Sequence, residues 1–341
     1  MNETENSEKL QNNLEYSVLR RLAEGGMADV FLAEQIGING FTKQVAIKII
    51  KEEFSKEPEF INNFIGEAKL VADLVHTNIA QTYHLGESDG KYFIVMEYIK
   101  GINLQELGDQ IHHKNTKLPV ELSVFITSRI ARALTYAHSK TSAESKNLGI
   151  VHRDISFRNV MVSFEGDVKL MDFGIAKALG YLKSQEGKVL AGKPDYMSPE
   201  QARFKTTDAR SDLFSTGVIL SNLLLGYNIF WDEKPEVARK KIIKAKLPQF
   251  GELDSRIDSH LESILKKCLA KELKNRYQSA EELLNDLEQY IYGIGYGPTN
   301  ETLSEYINKI FGQNQNLNVV SSKGDTIPLS HATDWTRTIS N

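Results

Sequence analysis

The sequence predicts an α+β protein with two unequal lobes, a small antiparallel β lobe that carries one helix and a larger, mainly α lobe. Strand-forming runs separated by glycine-containing turns fill residues 16–50, and a second pair of strands flanks the turn at 89–90. Between residues 57 and 75 the apolar residues recur at intervals of three and four, which indicates one amphipathic helix. After Gly101 the pattern changes to longer helical segments, which form the second lobe.

The larger lobe is predicted to contain four long helices followed by a short one. The four segments are 121–139, 213–226, 257–269 and 280–292. Three glycines and a proline between Gly293 and Pro298 end the last of them, before a short amphipathic segment at 301–311. Beyond Gly312 the chain is polar and rich in Asn, Ser and Thr, so we expect disorder there.

These signals divide the chain into one main domain with short flanking segments. The expected divisions are a flexible N-terminus at 1–13, a domain at 14–292 with lobes at about 14–100 and 101–292, a linker and short helix at 293–312, and a disordered tail at 313–341. The acidic, polar start lacks the apolar stretch of a signal peptide.

Composition narrows the possible classes of function. The 341 residues are 41% hydrophobic and 25% charged, and a net charge of -4 gives no basic footprint for nucleic acid. No apolar run is long enough to insert into a membrane. The single cysteine, Cys268, can form neither an intrachain disulfide nor a cysteine-based zinc cluster, which suits a reducing compartment. We therefore expect a soluble, cytoplasmic protein without nucleic-acid partners.

Two acidic motifs follow the first long helix of the larger lobe. His152-Arg153-Asp154 precedes Asn159, and Asp172-Phe173-Gly174 follows a predicted hairpin. Phosphoryl transfer needs anionic ligands for magnesium, a carboxylate near the incoming hydroxyl and a cation on the nucleotide phosphates, because its catalysis is mostly positioning and charge neutralisation. In this order and spacing the residues resemble the protein kinase family.

The resemblance implies a two-lobed protein kinase fold that binds ATP with Mg²⁺ and acts on protein substrates. It implies that Asp154 accepts the proton of the substrate hydroxyl, and that Asn159 and Asp172 hold magnesium. Lys48, late in a predicted strand, corresponds to the lysine on the α- and β-phosphates. Glu67, on the following helix, corresponds to the ion-pair partner of that lysine. Taken alone, each of these carboxylates, and the lysine, is more often an ordinary surface charge.

A loop between two predicted strands matches the phosphate-covering loop of the family. Its residues are Leu22, Ala23, Glu24, Gly25, Gly26, Met27, Ala28, Asp29 and Val30. Ala23 and Ala28 replace the first and third glycines of the family's pattern, whereas Gly25 keeps the second. This exchange indicates a stiffer loop that still binds nucleotide.

The same resemblance assigns the adenine site. Val30 and Ala46 would enclose the base, and Met96 falls at the gatekeeper position. The hinge that begins at Glu97 and continues through Tyr98 would pair its backbone with the base.

On the substrate side, Ser198-Pro199-Glu200 resembles the family's A-P-E element, with serine in place of alanine. Glu200 then requires a buried cation, and Arg276 matches the late arginine that supplies one in the family. Asp212 matches the aspartate that braces the catalytic loop from a buried helix. The alternative for Arg276 is an ordinary position on the surface of a helix.

Two departures from the family bear on mechanism. Ser156 stands where serine/threonine members usually have a lysine, and Lys193 stands where they usually have a threonine. We interpret this as a swap, in which Lys193 returns the missing ammonium to the catalytic site. An ordinary exposed lysine is the alternative. Arg158, which precedes Asn159, is a residue that tyrosine-specific members also place there, although the 192–200 stretch favours serine/threonine.

The resemblance covers residues 16–292 and is strongest to the bacterial (Hanks-type) serine/threonine kinases. The 24–27 loop and the exchange at Ser156 and Lys193 resemble soluble kinases of social and predatory bacteria. Three other functions stay open: a pseudokinase scaffold, a kinase for small molecules and a pure interaction module. The complete set of catalytic residues argues against the first, and the Ser-Pro-Glu element against the second. Only the tail would support the third.

Regulation is expected to involve Arg153, which in the family often binds a phosphate on the activation segment. Between Gly174 and Lys193 the only hydroxyl residues are Tyr181 and Ser184, so Ser184 is the favoured switch. The alternative is a constitutively competent kinase that autophosphorylates its tail. The tail positions concerned are Ser321, Thr333, Thr336 and Thr338.

Overall fold

The computed structural model describes residues 15–142, 145, 147–173 and 194–312, without the side chains of Glu59, Asn63, Glu67 and Leu70. The described residues up to Ala68, together with Thr82–Tyr98, form a first compact unit. Lys69–Gln81 and the described residues from Ile99 onward form a second. The flexible N-terminus at 1–13 and the disordered tail at 313–341, both expected from the sequence, lie outside the described residues.

The first unit is an antiparallel sheet with the strand order β1-β2-β3-β5-β4. Its strands are β1 (Glu15–Glu24), β2 (Ala28–Ile36), β3 (Thr42–Ile50), β4 (Thr82–Ser88) and β5 (Lys91–Glu97), and helix α1 (Pro58–Ala72) begins in this unit. Alternate β-branched and aromatic side chains of these strands pack into one apolar cluster, in which the rings of Tyr16 and Phe93 meet edge to face at 6.1 Å. The cluster fixes the register of β3, the strand that carries Lys48.

The second unit is mainly helical and contains one small sheet of order β6-β7-β8. Its strands are β6 (Gly101–Asn103), β7 (Val160–Ser163) and β8 (Val168–Leu170). Its helices are α2 (Leu104–His113), α3 (Val120–Ser139), α4 (Pro199–Ala202), α5 (Ala209–Leu225), α6 (Pro235–Lys244), α7 (Phe250–Leu253), α8 (Ser259–Cys268), α9 (Ala280–Tyr292) and α10 (Asn300–Phe311).

Helix α5 is the centre of the second unit and is buried along most of its length. Its hydroxyl side chains return hydrogen bonds to the helix backbone, as from Thr216 Oγ1 to Asp212 O at 2.8 Å, so they can lie in an apolar core. At Gly217 a Cβ atom would overlap the side chain of Cys268, so the glycine allows α8 to approach closely. Burial raises the pKa of the Cys268 thiol, which packs as a small apolar side chain.

The α+β prediction and the predicted two-part division into a β-rich and a helical part are confirmed by these elements. The helix expected at 280–292 has those bounds, and the other long helices begin or end within a few residues of expectation. Helices α2 and α6 and the short helices α4 and α7 were not predicted from the sequence. Within the described ranges, no helix is both long and apolar enough to cross a membrane.

Candidate active site

The catalytic loop is anchored by Asp212, in the first turn of α5. Its carboxylate is 1% exposed and accepts hydrogen bonds from the backbone amides of His152 and Arg153, each at 2.8 Å. His138 Nε2 lies 2.9 Å from the same carboxylate. Burial alone would raise the pKa of Asp212, but the bonds from His138 and from the loop backbone hold it below its usual range. Asp212 therefore contacts the loop that it was expected to brace.

Arg153 is held on three sides within the second unit. Its backbone is left-handed with φ 62°, a conformation that non-glycine residues rarely adopt. Its carbonyl accepts a bond from Gln201 Nε2 at 2.9 Å, and its Nε donates to Thr207 Oγ1 at 3.1 Å. Burial lowers the pKa of Arg153, and the nearby Asp212 carboxylate opposes that shift. The contacts of Gln201 and Thr207 with Arg153 were not predicted from the sequence, because no local pattern links residues so distant in sequence.

The side chain of Asn159, a predicted metal ligand, contacts Asp154, the predicted base. Its Nδ2 donates to the backbone oxygen of Asp154 at 2.7 Å and to Asp154 Oδ2 at 3.0 Å. The Asp154 amide donates to His152 Nδ1 at 3.2 Å. Ser156, which stands at the family's lysine position, is 4% exposed. Its proposed counterpart Lys193 lies outside the described residues, as does Ser184.

Asp172 follows the β7–β8 hairpin, and Asn159 precedes it. The amide of Met171 donates to Asn159 O at 2.8 Å, so the two ends of the hairpin are joined next to both predicted ligands. Asp172 adopts a left-handed backbone with φ 52°. Phe173 is buried with its ring centroid 4.6 Å from that of His152. Phe173 therefore packs against the loop that carries Asp154.

The donor set at this hairpin fits Mg²⁺. Carboxylate and amide oxygens are the ligands that this ion prefers, and it usually keeps water and nucleotide phosphates as its other ligands. The described residues contain no cluster of three or more His, Cys, Asp or Glu side chains that could enclose a metal on its own. The two predicted ligands, Asn159 and Asp172, fit an ion that arrives with its nucleotide.

In the first unit, the turn between β1 and β2 is the predicted phosphate-covering loop. The amide of Gly25 donates to Asp29 Oδ1 at 3.3 Å, and the amide of Lys51 donates to Met27 O at 3.0 Å. A Cβ atom at Gly25 would overlap the carbonyl oxygen of Ala28, whereas one at Gly26 would meet nothing within 4 Å. Gly25 is thus required by space. Leu22, Ala23 and Glu24 end strand β1, while Ala28, Asp29 and Val30 begin β2.

The predicted adenine residues belong to adjacent strands of the same sheet. Ala46 pairs with Met96, and Lys48 pairs with Val30 on one side and with Ile94 on the other. Because side chains alternate along a strand, Ala46 and Lys48 lie on the same face of β3. Glu97 ends β5 and Tyr98 follows it. Glu67 is in α1, but its side chain lies outside the described part, so its predicted pairing with Lys48 stays a prediction.

The predicted cation for Glu200 is Arg276, which is buried. Arg276 Nη1 and Nη2 donate to the two carboxylate oxygens at 2.8 and 3.2 Å, and Ser211 Oγ donates to the same group at 2.7 Å. Burial alone would raise the pKa of Glu200, but the Arg276 bonds hold it below the usual range. The surface alternative for Arg276 is therefore wrong.

Comparison with known proteins agrees with this arrangement. A family profile described as "Protein kinase domain" matches residues 16–287. The chain is 37% identical over 302 residues to "Tyrosine-protein kinase MasK" of Myxococcus xanthus, covering 87% of this chain and 46% of that protein. It is 34% identical over 273 residues to "Serine/threonine-protein kinase PrkC" of Bacillus subtilis, covering 80% of this chain and 40% of that protein. The chain thus spans less than half the length of these curated relatives.

A solved structure with a similar fold is the PknI kinase domain of Mycobacterium tuberculosis. It has a TM-score of 0.60 and 25% sequence identity, and the match covers 80% of this chain and 95% of that chain. The predicted protein kinase fold is therefore confirmed. The matching profile extends over most of the sequence and includes every described residue of the predicted catalytic set. The chain belongs to the protein kinase family.

Proposed function

We propose that this protein transfers the γ-phosphoryl group of ATP to serine or threonine hydroxyls of protein substrates. The observation that carries the proposal is the bond from Asn159 to the Asp154 carboxylate, in a loop anchored on a buried Asp212. That arrangement would place a fixed general base beside a metal ligand, which phosphoryl transfer requires. The bacterial relatives named as serine/threonine kinases support the choice of acceptor.

In the proposed reaction, Asp154 accepts the proton of the substrate hydroxyl while the hydroxyl oxygen attacks the γ-phosphorus. The bond from that phosphorus to the β-phosphate oxygen breaks, and ADP leaves. Lys48 binds the α- and β-phosphates, and the backbone around Gly25 covers them. Asn159 and Asp172 would hold Mg²⁺, which when bound would neutralise the charge of the transferring phosphate. Lys193 would supply a further cation in place of the lysine absent at position 156.

A second candidate is tyrosine or dual specificity. The relative from Myxococcus xanthus is named a tyrosine kinase, and Arg158, beside Asn159, is exposed. An exposed guanidinium there could meet the acceptor or its phosphate. Phosphoamino-acid analysis of the labelled products distinguishes the candidates, because phosphotyrosine as the main product would replace the serine/threonine assignment.

The proposed function is tested with radiolabelled ATP and purified full-length protein. We expect Asp154→Asn to lower the rate of transfer by roughly 10²- to 10⁴-fold, because it removes a general base that contacts the nucleophile. Its affinity for ADP with Mg²⁺ should stay within about twofold of the parent's, because the carboxylate does not bind the nucleotide. A parent protein that binds ADP but transfers no phosphate would instead favour a pseudokinase.

The swap at Ser156 and Lys193 is tested separately. Lys193→Ala should lower the turnover rate much more than the affinity for ATP, and Ser156→Lys combined with Lys193→Thr should restore turnover. A double variant no better than Lys193→Ala would refute the compensation.

We further propose that the protein works in the cytoplasm on protein partners and without nucleic acid.

A further inference from the structure

Helix α10 lies beyond residue 287, where the family profile ends, yet it is part of the core of the second unit. Its residues Leu303, Ile307 and Ile310 are at most 6% exposed. Thr299 caps its first turn, and Gln110 Nε2 on α2 donates to the backbone oxygen of Ile310 at 3.3 Å. The helix is therefore fixed at both ends and along its apolar face.

The polar face of α10 contacts the turn between β7 and β8. Ser304 Oγ donates to Phe164 O at 2.6 Å, and Asn308 Nδ2 contacts the same oxygen at 3.4 Å. One turn earlier, Asn300 Nδ2 donates to Asp167 Oδ1 at 2.7 Å. Three side chains spaced along α10 thus bind the two ends of one short turn.

Gly166, inside this turn, allows the close approach of α10. Its φ of +90° is in the left-handed region that favours glycine. A Cβ atom on Gly166 would overlap the backbone oxygen of Asn300 at the start of α10. The turn and the helix therefore approach more closely than any other residue at position 166 would allow.

The β7–β8 hairpin connects this contact to the catalytic site. Its outer end is the turn bound by α10, where the Phe164 amide also donates to Lys100 O at 3.1 Å. Its inner end is the bond from the Met171 amide to Asn159 O, beside both predicted metal ligands. Only three residue pairs of β7 and β8 lie between the two ends. Strand β6 pairs with β7, and the backbone at Asn78 and Ala80 bonds to Leu170 of β8, so the strands are supported from both sides. A hairpin this short is marginally stable alone, and α10 adds the support at its turn.

We propose that α10 is a positioning element for the magnesium site: by holding the β7–β8 turn, it keeps the hairpin closed and so sets the relative placement of Asn159 and Asp172. This inference rests on the proposed function, since it assigns a role to a helix outside the family match in that same reaction. Ser304, Asn308 and Gly166 are its positioning residues, and none of them is expected to contact nucleotide.

The test uses the full chain and two sets of variants. Ser304→Ala combined with Asn308→Ala removes both bonds to Phe164, with exposed Glu305→Ala on the same helix as its control and Ser304→Thr as the conservative variant. Gly166→Ala introduces the overlap with Asn300. Its control is Gly149→Ala, because Gly149 also has a positive φ of 62° but has nothing within 4 Å of its Cβ position.

The main measurement is hydrogen exchange of the Met171 amide in nucleotide-free protein. We expect exchange about threefold to tenfold faster in the double variant and in Gly166→Ala, matching the loss of one or two ordinary hydrogen bonds. The Mg²⁺ concentration that half-saturates the gain in ADP affinity should rise by a similar factor, while ADP affinity without Mg²⁺ stays unchanged. The two controls and Ser304→Thr should match the parent in both measurements.

Unchanged Met171 exchange, or a lower melting temperature without any change in the Mg²⁺ requirement, would show that α10 is only structural. A parent protein that transfers no phosphate refutes the proposed function instead. The exchange measurement needs neither ATP nor activity, so the two failures are distinguishable.

Discussion

The catalytic loop of the second unit and the phosphate-covering turn of the first are held in different ways. Backbone amides of the catalytic loop bind the carboxylate of Asp212, which comes from a distant helix. The β1–β2 turn is closed within five residues by the bond from Gly25 to Asp29, and the Lys51 amide, just after β3, adds a bond to Met27 O. A loop held by a residue distant in sequence depends on the packing of the whole unit, whereas a turn closed by its own residues can accept substitutions. The turn has alanine at two of the family's three glycine positions, whereas His152-Arg153-Asp154 is complete.

The largest expected effect comes from removing the distant anchor. Asp212→Ala leaves one buried and two partly buried donors without their acceptor, and we expect it to lower the free energy of unfolding by about 3 kcal/mol or more. Urea denaturation measures this loss. Asp208→Ala, at the N-cap of the same helix, should cost only about 1 kcal/mol. Equal costs for the two variants would contradict the anchor.

A smaller effect is expected at Arg153, whose side chain donates a hydrogen bond to the hydroxyl of Thr207. Thr207→Val keeps the size of the side chain but removes the acceptor for Arg153 Nε. We expect turnover to fall about threefold to tenfold with little change in the KM for ATP, since one hydrogen bond to a charged group is lost. Steady-state kinetics provide the measurement, and exposed Thr206→Val is the control.

The same series decides between the two expectations for regulation. If Thr207→Val slows the reaction and Ser184→Ala does not, Arg153 is satisfied without a phosphate and the kinase is constitutively competent. If Ser184→Ala lengthens a lag before full activity, the phosphate switch is supported and Thr207 has only a minor role.

The locally closed turn should respond to single substitutions at one position and not at its neighbour. Gly25→Ala forces the turn away from the Ala28 carbonyl, so we expect ADP affinity to fall by about threefold, whereas Gly26→Ala should leave it unchanged. Isothermal titration calorimetry compares the two variants. A melting temperature within about 2 °C of the parent is expected for both, because the turn is remote from the core. Equal ADP affinities in the two variants would argue that the turn adapts freely.

The smallest expected effect is on the free energy of unfolding at acidic pH. The pKa of Asp212 is lowered in the folded protein, so its contribution is fully present above the unfolded value of about 3.9 and is lost as pH falls through the folded pKa. We expect Asp212→Asn to lack this portion of the pH dependence. Urea midpoints measured between pH 6 and pH 3 should therefore fall less steeply in the variant than in the parent. Parallel curves would contradict an ionised, bonded Asp212.

The sequence predicted the parts of the site whose signals are local. Asp154, Asn159 and Asp172 follow a recognisable spacing, and Glu200 with Arg276 was paired correctly because the family resemblance assigns both. Thr207 was missed, because a threonine between two helices carries no sign of the arginine it will contact.

The missed helices show a similar limit. α2 begins with a capping box of Asn103 and Glu106, a local signal that was not used in predicting the helices. α10 was expected as a short helix, but its contacts with Phe164 connect residues separated by 140 positions or more. Such contacts depend on tertiary packing, which periodicity in one sequence does not reveal.

The β7–β8 hairpin also has a consequence for the order in which the protein folds. Both predicted magnesium ligands belong to one stretch of chain, closed between Asn159 and Met171, and closing a short loop costs less entropy than closing a long one. The Glu200–Arg276 pair joins residues 76 positions apart. We therefore expect pulse-labelled exchange during refolding to protect the Met171 amide before the amides around Arg276, and simultaneous protection would contradict this order. The predicted metal-binding end of the unit then forms from nearby chain. The Glu200–Arg276 pair forms later, because its two residues are distant in sequence.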